Sequence, residues 1–90
     1  MSELATSPSL DDDLFAVLGE VARLRIEPGA LTATDDLYAA GLSSLATVDL
    51  MLAIEDRFGI EFTSEWLNRR TFSSVAMLRQ AVQAMREQTP

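Results

Sequence analysis

The chain has 90 residues, with 14 Asp and Glu against 7 Arg, and a formal charge of -7. It contains no Cys, His or Lys. Disulfides, Cys- or His-built metal sites, a Ser-His-Asp triad and Schiff-base chemistry are therefore excluded for its own side chains.

With 48% hydrophobic and 23% charged residues, the composition is that of one small folded domain, able to bury roughly 60–65% of its unfolded surface. An acidic chain without a basic stripe is repelled by nucleic acid and by anionic membranes, so neither is an expected partner. Met1-Ser2-Glu3 lacks the positive charge of a signal peptide, and the apolar stretch at residues 14–24 is broken by Glu20 and Arg23. Cytoplasmic residence is the expectation.

Residues 1–8 are small and polar and are expected to be flexible; the folded domain is expected over 9–86, with a frayed tail at 87–90. Ser9, with Asp12 three residues on, reads as a capping box for a first helix. Asp11, Asp12 and Asp13 suit the positive helix end and are expected to do nothing more. Leu14, Val17, Leu18, Val21 and Leu24 recur at helical spacing, and Pro28-Gly29 is the breaker beyond them.

Residues 26–43 form a long connection with scattered apolar anchors, within which Asp35-Asp36-Leu37-Tyr38 is expected to make a single turn. Gly41 then lets the backbone bend, and Ser43-Ser44 opens a second helix that runs to about Phe58 and stops at Gly59. Ile60-Glu61-Phe62 reads as extended, Thr63-Ser64-Glu65 as the cap of a brief turn through Trp66 and Leu67, and Ser73 or Ser74 as the cap of a last helix on Val75, Leu78, Val82 and Met85. The expected fold is all-α: three main helices plus one short helix, and no sheet.

The second helix has two apolar stripes. Leu50, Met51, Ile54 and Phe58 form a broad one that should face the core, while Leu45, Val48 and Leu52 lie on the opposite side, bordered by Asp49, Glu55 and Asp56. The second stripe is either enclosed or kept for a partner, and its acidic border predicts a basic partner surface.

Gly41-Leu42-Ser43-Ser44-Leu45, followed by Val48, Leu50, Ile54-Glu55, Phe58 and Ile60, resembles the acyl carrier protein family. There a Gly-x-Asp-Ser-Leu motif opens the second helix, and its Ser carries 4′-phosphopantetheine. The resemblance covers residues 35 to 82 and implies an acyl-carrier-protein-like bundle modified at Ser44, the serine before Leu45. Leu37-Tyr38-Ala39-Ala40-Gly41-Leu42-Ser43-Ser44 and Leu67-Asn68-Arg69-Arg70-Thr71-Phe72 look most like bacterial aminoacyl carrier proteins. Their partners are an amino acid:[carrier protein] ligase resembling class II aminoacyl-tRNA synthetases, a phosphopantetheinyl transferase and a downstream acceptor enzyme.

The physical logic agrees with that reading. A carrier needs a thioester, no Cys is present, and so the thiol must arrive on a prosthetic group tethered to an exposed hydroxyl. A serine at a helix start lies beside unpaired N–H groups that suit a phosphodiester anion.

Two departures stand out. Ser43 occupies the motif's usual Asp position, and the stretch Ser44–Phe58 carries only -2, less than a fatty-acid carrier's acidic helix. The first removes a charge that a phosphopantetheinyl transferase could read, and the second favours a specialised partner. No catalytic or metal-binding residue is expected, and a monomer is the simple expectation.

Other residues keep two readings. Asp35 and Asp36 cap a turn, or assist Mg²⁺ during attachment. Trp66 packs in the core or meets ligase or cargo. Arg69 and Arg70 are solvated, or one of them steadies the prosthetic phosphate or meets an acidic ligase patch. The alternative functions are an acyl or peptidyl carrier of fatty-acid, polyketide or non-ribosomal peptide synthesis, and a cofactor-free helical interaction domain.

Overall fold

A computed structural model describes residues 9–88, and its first helix begins where local chemistry dictates. The Ser9 hydroxyl accepts the Asp12 N–H at 3.1 Å, and helix α1 runs Leu10–Val21. It ends earlier than the apolar spacing suggests. The Ala22 N–H donates to the Leu18 carbonyl at 2.9 Å, and Arg23 then adopts a left-handed φ of 51°. Leu24 therefore lies past the helix, in the connection.

That connection has a fixed path because its backbone is tied down at intervals. Arg25 N–H donates to Ala40 O, Leu37 N–H to Ser73 O, and Ala76 N–H to Ala33 O, each at 2.8 Å. Pro28-Gly29 breaks no α-helix. It sits in a 3₁₀ helix at Pro28–Ala30, so the described residues hold two short helices where one was expected, the second being Ser64–Trp66.

Helix α2 spans Ser44–Phe58, stopped by Gly59 in the left-handed conformation (φ 66°). Helix α3 spans Val75–Gln88, and Ser74 rather than Ser73 caps it: the Ser74 hydroxyl accepts the Met77 N–H at 3.2 Å. Glu87 and Gln88, expected in the frayed tail, are helical. Residues 1–8 and 89–90 lie outside the described part, and no strand forms among the described residues.

The three helices enclose one core. Leu14 and Leu18 of α1, Leu50 and Ile54 of α2, and Leu78 and Val82 of α3 are fully buried, joined by Leu37 from the connection. Full burial of each such side chain contributes about 1.5–3 kcal/mol before entropic costs.

The aspartates of α1 do more than favour a helix start. Asp11 accepts two hydrogen bonds from Arg79 Nη1 of α3, at 2.7 and 2.9 Å. Asp13 pairs with Arg57 of α2 at 3.3 Å, and Glu20 approaches the same arginine at 3.8 Å. These pairs fix the orientation of α1 more than they stabilise it, because partly exposed ion pairs contribute at most about 1 kcal/mol.

Candidate functional site

The start of α2 is assembled from the turn that precedes it. Asp36 closes that turn: its carboxylate accepts the Tyr38 N–H at 2.9 Å, and its carbonyl accepts the Ala40 N–H at 3.1 Å. Asp35 likewise accepts the Thr32 N–H at 2.8 Å. Both acids thus serve the backbone, and no cluster able to hold a metal ion occurs among the described residues. Gly41 then takes φ 114°, and a Cβ there would meet the Arg25 backbone nitrogen at 3.0 Å. Only glycine combines that angle with so close an approach.

Ser43 is the cap. Its hydroxyl accepts the Ala46 N–H at 3.0 Å, and its carbonyl accepts both the Thr47 N–H at 2.9 Å and the Thr47 hydroxyl at 2.8 Å. Ser44 is the first helical residue and is exposed. The division of labour is clear: one serine holds the helix end, and the next presents its hydroxyl to solvent beside first-turn N–H groups and the positive helix end.

Below Ser44 the two stripes separate as expected. Leu50 and Ile54 are 0% exposed, whereas Leu45 is 77%, Val48 50% and Leu52 53% exposed. Leu67, from the turn between α2 and α3, adds another exposed apolar side chain. Asp49 and Asp56 are exposed at the border.

Glu55 is placed differently. It is half-buried, and its carboxylate accepts the Phe62 N–H at 2.9 Å, fastening the chain after α2 to the helix. It belongs to the scaffold as much as to the border. Trp66 packs half-buried against the core, its indole Nε1 buried without an acceptor among the described residues.

Arg69 and Arg70 part company. Arg69 stacks on the Tyr38 ring, 3.8 Å from its centroid, and the Tyr38 hydroxyl donates to the Arg69 carbonyl at 3.3 Å. Sequence reasoning missed Tyr38, which is 31 positions away and carries no local signal for this contact. Tyr38 and Arg69 rim a groove of about 250 Å³ whose floor and walls include Thr47, Val48, Met51, Leu67 and Phe72. Asn68 shapes the same rim by accepting the Thr71 N–H at 3.0 Å and the Thr71 hydroxyl at 3.1 Å. Thr47, Val48 and Met51 stand three, four and seven residues after Ser44, so groove and hydroxyl share one face of α2.

Comparison with known proteins bears on this arrangement. The family model described as "Phosphopantetheine attachment site" matches residues 12–82. The aminoacyl carrier protein of Agrobacterium fabrum (strain C58) is 42% identical over 66 residues, which is 73% of this chain and 80% of that protein. A carrier protein from Agrobacterium tumefaciens, crystallised with an engineered Bradyrhizobium japonicum glycine:[carrier protein] ligase and ATP, superposes with a TM-score of 0.82 at 37% identity, covering 84% of this chain and 99% of that one. The structure of the B. japonicum ligase with its cognate carrier and a glycyl-adenylate analogue matches with a TM-score of 0.69 at 26% identity, covering 83% of this chain and 96% of the matched chain.

Proposed function

The chain belongs to the phosphopantetheine attachment family and is a homologue of the aminoacyl carrier proteins, and from that premise we propose that it is pantetheinylated on Ser44 and loaded by an amino acid:[carrier protein] ligase. Members of the family carry 4′-phosphopantetheine covalently on a serine. When attached, the group supplies the thiol on which an amino acid is held as a thioester.

One observation carries the choice of Ser44: it is the exposed first residue of α2, while the hydroxyl of its neighbour Ser43 is committed to the Ala46 N–H. The donor set fits a phosphodiester, because the helix start offers N–H groups and a positive dipole end to an anion. Ser43 in place of the motif's usual acid still caps the helix, so the departure from the family pattern alters charge and leaves geometry intact.

What the remaining residues do follows from their exposure. Leu45, Val48 and Leu52 offer an apolar strip for docking, with Leu67 beyond them, and Asp49 and Asp56 orient a basic partner surface. The partners on this reading are the ligase, a phosphopantetheinyl transferase and an acceptor enzyme. The carrier itself is a substrate rather than a catalyst, works in the cytoplasm and visits its partners as a monomer. No helix among the described residues is long and apolar enough to cross a membrane.

Incubation with coenzyme A and a broad-specificity phosphopantetheinyl transferase tests the assignment. Mass spectrometry should place the added group on Ser44, with no gain in Ser44→Ala and full gain in Ser43→Ala. A glycine:[carrier protein]-type ligase with ATP and its amino acid should then add an aminoacyl mass to the holo form alone. Equal modification of Ser44→Ala would overturn the site.

A further inference from the structure

The seven arginines of this acid-rich chain divide sharply by what they touch. Arg57 and Arg79 pair with the carboxylates of α1, and Arg86 lies over the Phe58 ring at 5.2 Å. Arg23 lines a separate cleft with Gly41, Ser43, Leu45, Ala46 and Asp49, which lies round α2 from the groove of Thr47, Val48 and Met51, and no aromatic ring among the described residues holds its guanidinium. Arg25 packs beside Gly41. Arg70 is exposed and lines no part of the groove on that face.

Arg69 alone rims the groove that lies directly along α2 from Ser44, and none of the ion pairs among the described residues involves it. Its guanidinium is nevertheless fixed in place, flat over the Tyr38 ring at 3.8 Å, while the Tyr38 hydroxyl holds its backbone carbonyl. A guanidinium stacked in this way keeps its N–H edge free, and that planar fork matches two phosphate oxygens. Stacking also removes side-chain freedom in advance, lowering the entropy lost when an anion binds.

We propose that Arg69, held over Tyr38, is the phosphate-binding residue of this carrier. It pairs with the phosphodiester of the group on Ser44 and lays the arm along the groove side of α2. The inference rests on the assignment of Ser44 above and extends it. Tyr38 is a positioning residue: it touches the guanidinium and not the phosphate. Apart from Thr47 and Asn68 the rest of the groove is apolar, lined by Val48, Met51, Leu67 and Phe72, so its single cation offers a partner for an anion and the other walls suit the uncharged part of the arm.

The test compares apo and holo protein by NMR, using arginine Nε–H resonances and the ³¹P signal of the attached group. In the wild type, the Arg69 Nε–H resonance should move on conversion to holo. The movement should largely vanish in about 1 M NaCl, where the screening length falls to about 3 Å. Arg69→Gln should shift the ³¹P resonance and narrow the arm's proton lines, with the docked fraction falling about two- to fivefold, the range for an exposed ion pair. Arg69→Lys should retain part of the effect, and Tyr38→Leu should lose part of it. Arg70→Gln and Arg23→Gln, which make the same charge change, should leave both signals in place.

An unmoved Arg69 resonance in wild-type holo protein overturns the proposal without recourse to any variant. So does an equal ³¹P shift in Arg70→Gln. These results are separable from failure of the Ser44 assignment, which would show earlier, as absence of the pantetheine mass.

Discussion

Two helices of this protein open on the same dipeptide, and the two openings differ in register. At Ser43-Ser44 the first serine caps α2 and the second is the first helical residue, exposed. At Ser73-Ser74 the second serine caps α3, its hydroxyl accepting the Met77 N–H, and it is buried. Ser73 is left outside the helix, donating its hydroxyl to the Arg70 carbonyl at 2.6 Å. One pair therefore presents a hydroxyl to solvent and the other consumes both. The difference arises upstream. Gly41 turns the chain so that the cap falls one residue early, whereas the Ser73 carbonyl is held by the Leu37 N–H and the cap falls on the residue after it. A serine pair at a helix start is thus no site in itself; the register set by the preceding turn decides whether a hydroxyl is left exposed, as at Ser44.

That contrast can be broken most forcefully at Gly41. Gly41→Ala adds a Cβ 3.0 Å from the Arg25 nitrogen at φ 114°, and a strained backbone of this kind costs on the order of 1–3 kcal/mol. Chemical denaturation should show that loss, together with slower pantetheinylation as the cap register is disturbed. Unchanged stability and rate would detach the register from the glycine.

Removing the caps sharpens the comparison. Ser74→Ala removes a buried hydroxyl and Ser43→Ala an exposed one, yet both cap bonds are part-buried, so each variant should cost about 1 kcal/mol, within the ~0.5–2 kcal/mol typical of a lost cap. Melting temperatures should fall by roughly 4–8 °C per kcal/mol in a domain this size. An unchanged melting temperature in either variant would mean that the hydroxyl removed is not the cap. Ser43→Ala should still accept pantetheine.

These local features are also the ones the sequence makes legible. Ser9, Ser43 and Gly59 end or begin helices through bonds spanning three or four residues, and the two stripes of α2 follow from spacing alone. The place of Ser44 at the helix start is legible because Gly41 and Leu45 flank it at the family's spacing. What escapes is long in sequence separation. The Asp11–Arg79 clamp spans 68 positions and the Tyr38–Arg69 stack 31, and no periodicity encodes either. Glu55 reads as a border acid because its wheel position is correct, yet the chain folding back at Phe62 claims its carboxylate. The early end of α1 escapes for another reason: arginine is a poor left-handed residue, and Arg23 takes φ 51° as the chain turns toward the Arg25–Ala40 bond.

The smallest effect on stability should accompany a large effect on function, on the strip that adjoins the first serine pair. Leu45 is 77% exposed, so Leu45→Asp removes almost no buried area and adds a carboxylate in the first turn of α2, where the helix dipole favours it. Its melting temperature should stay within a degree or two of the wild type, consistent with a surface change of about 0.5 kcal/mol or less. Loading by the ligase should nevertheless fall, because an apolar contact beside Ser44 has become a charge that must be desolvated on docking. Val48→Asp should behave alike, with a slightly larger cost in stability since Val48 is half covered and also lines the groove. A variant that melts many degrees lower would place the strip in the core. A variant that loads at the wild-type rate would leave this strip without a partner, and the ligase would then have to read the acidic border or the groove at Arg69 instead.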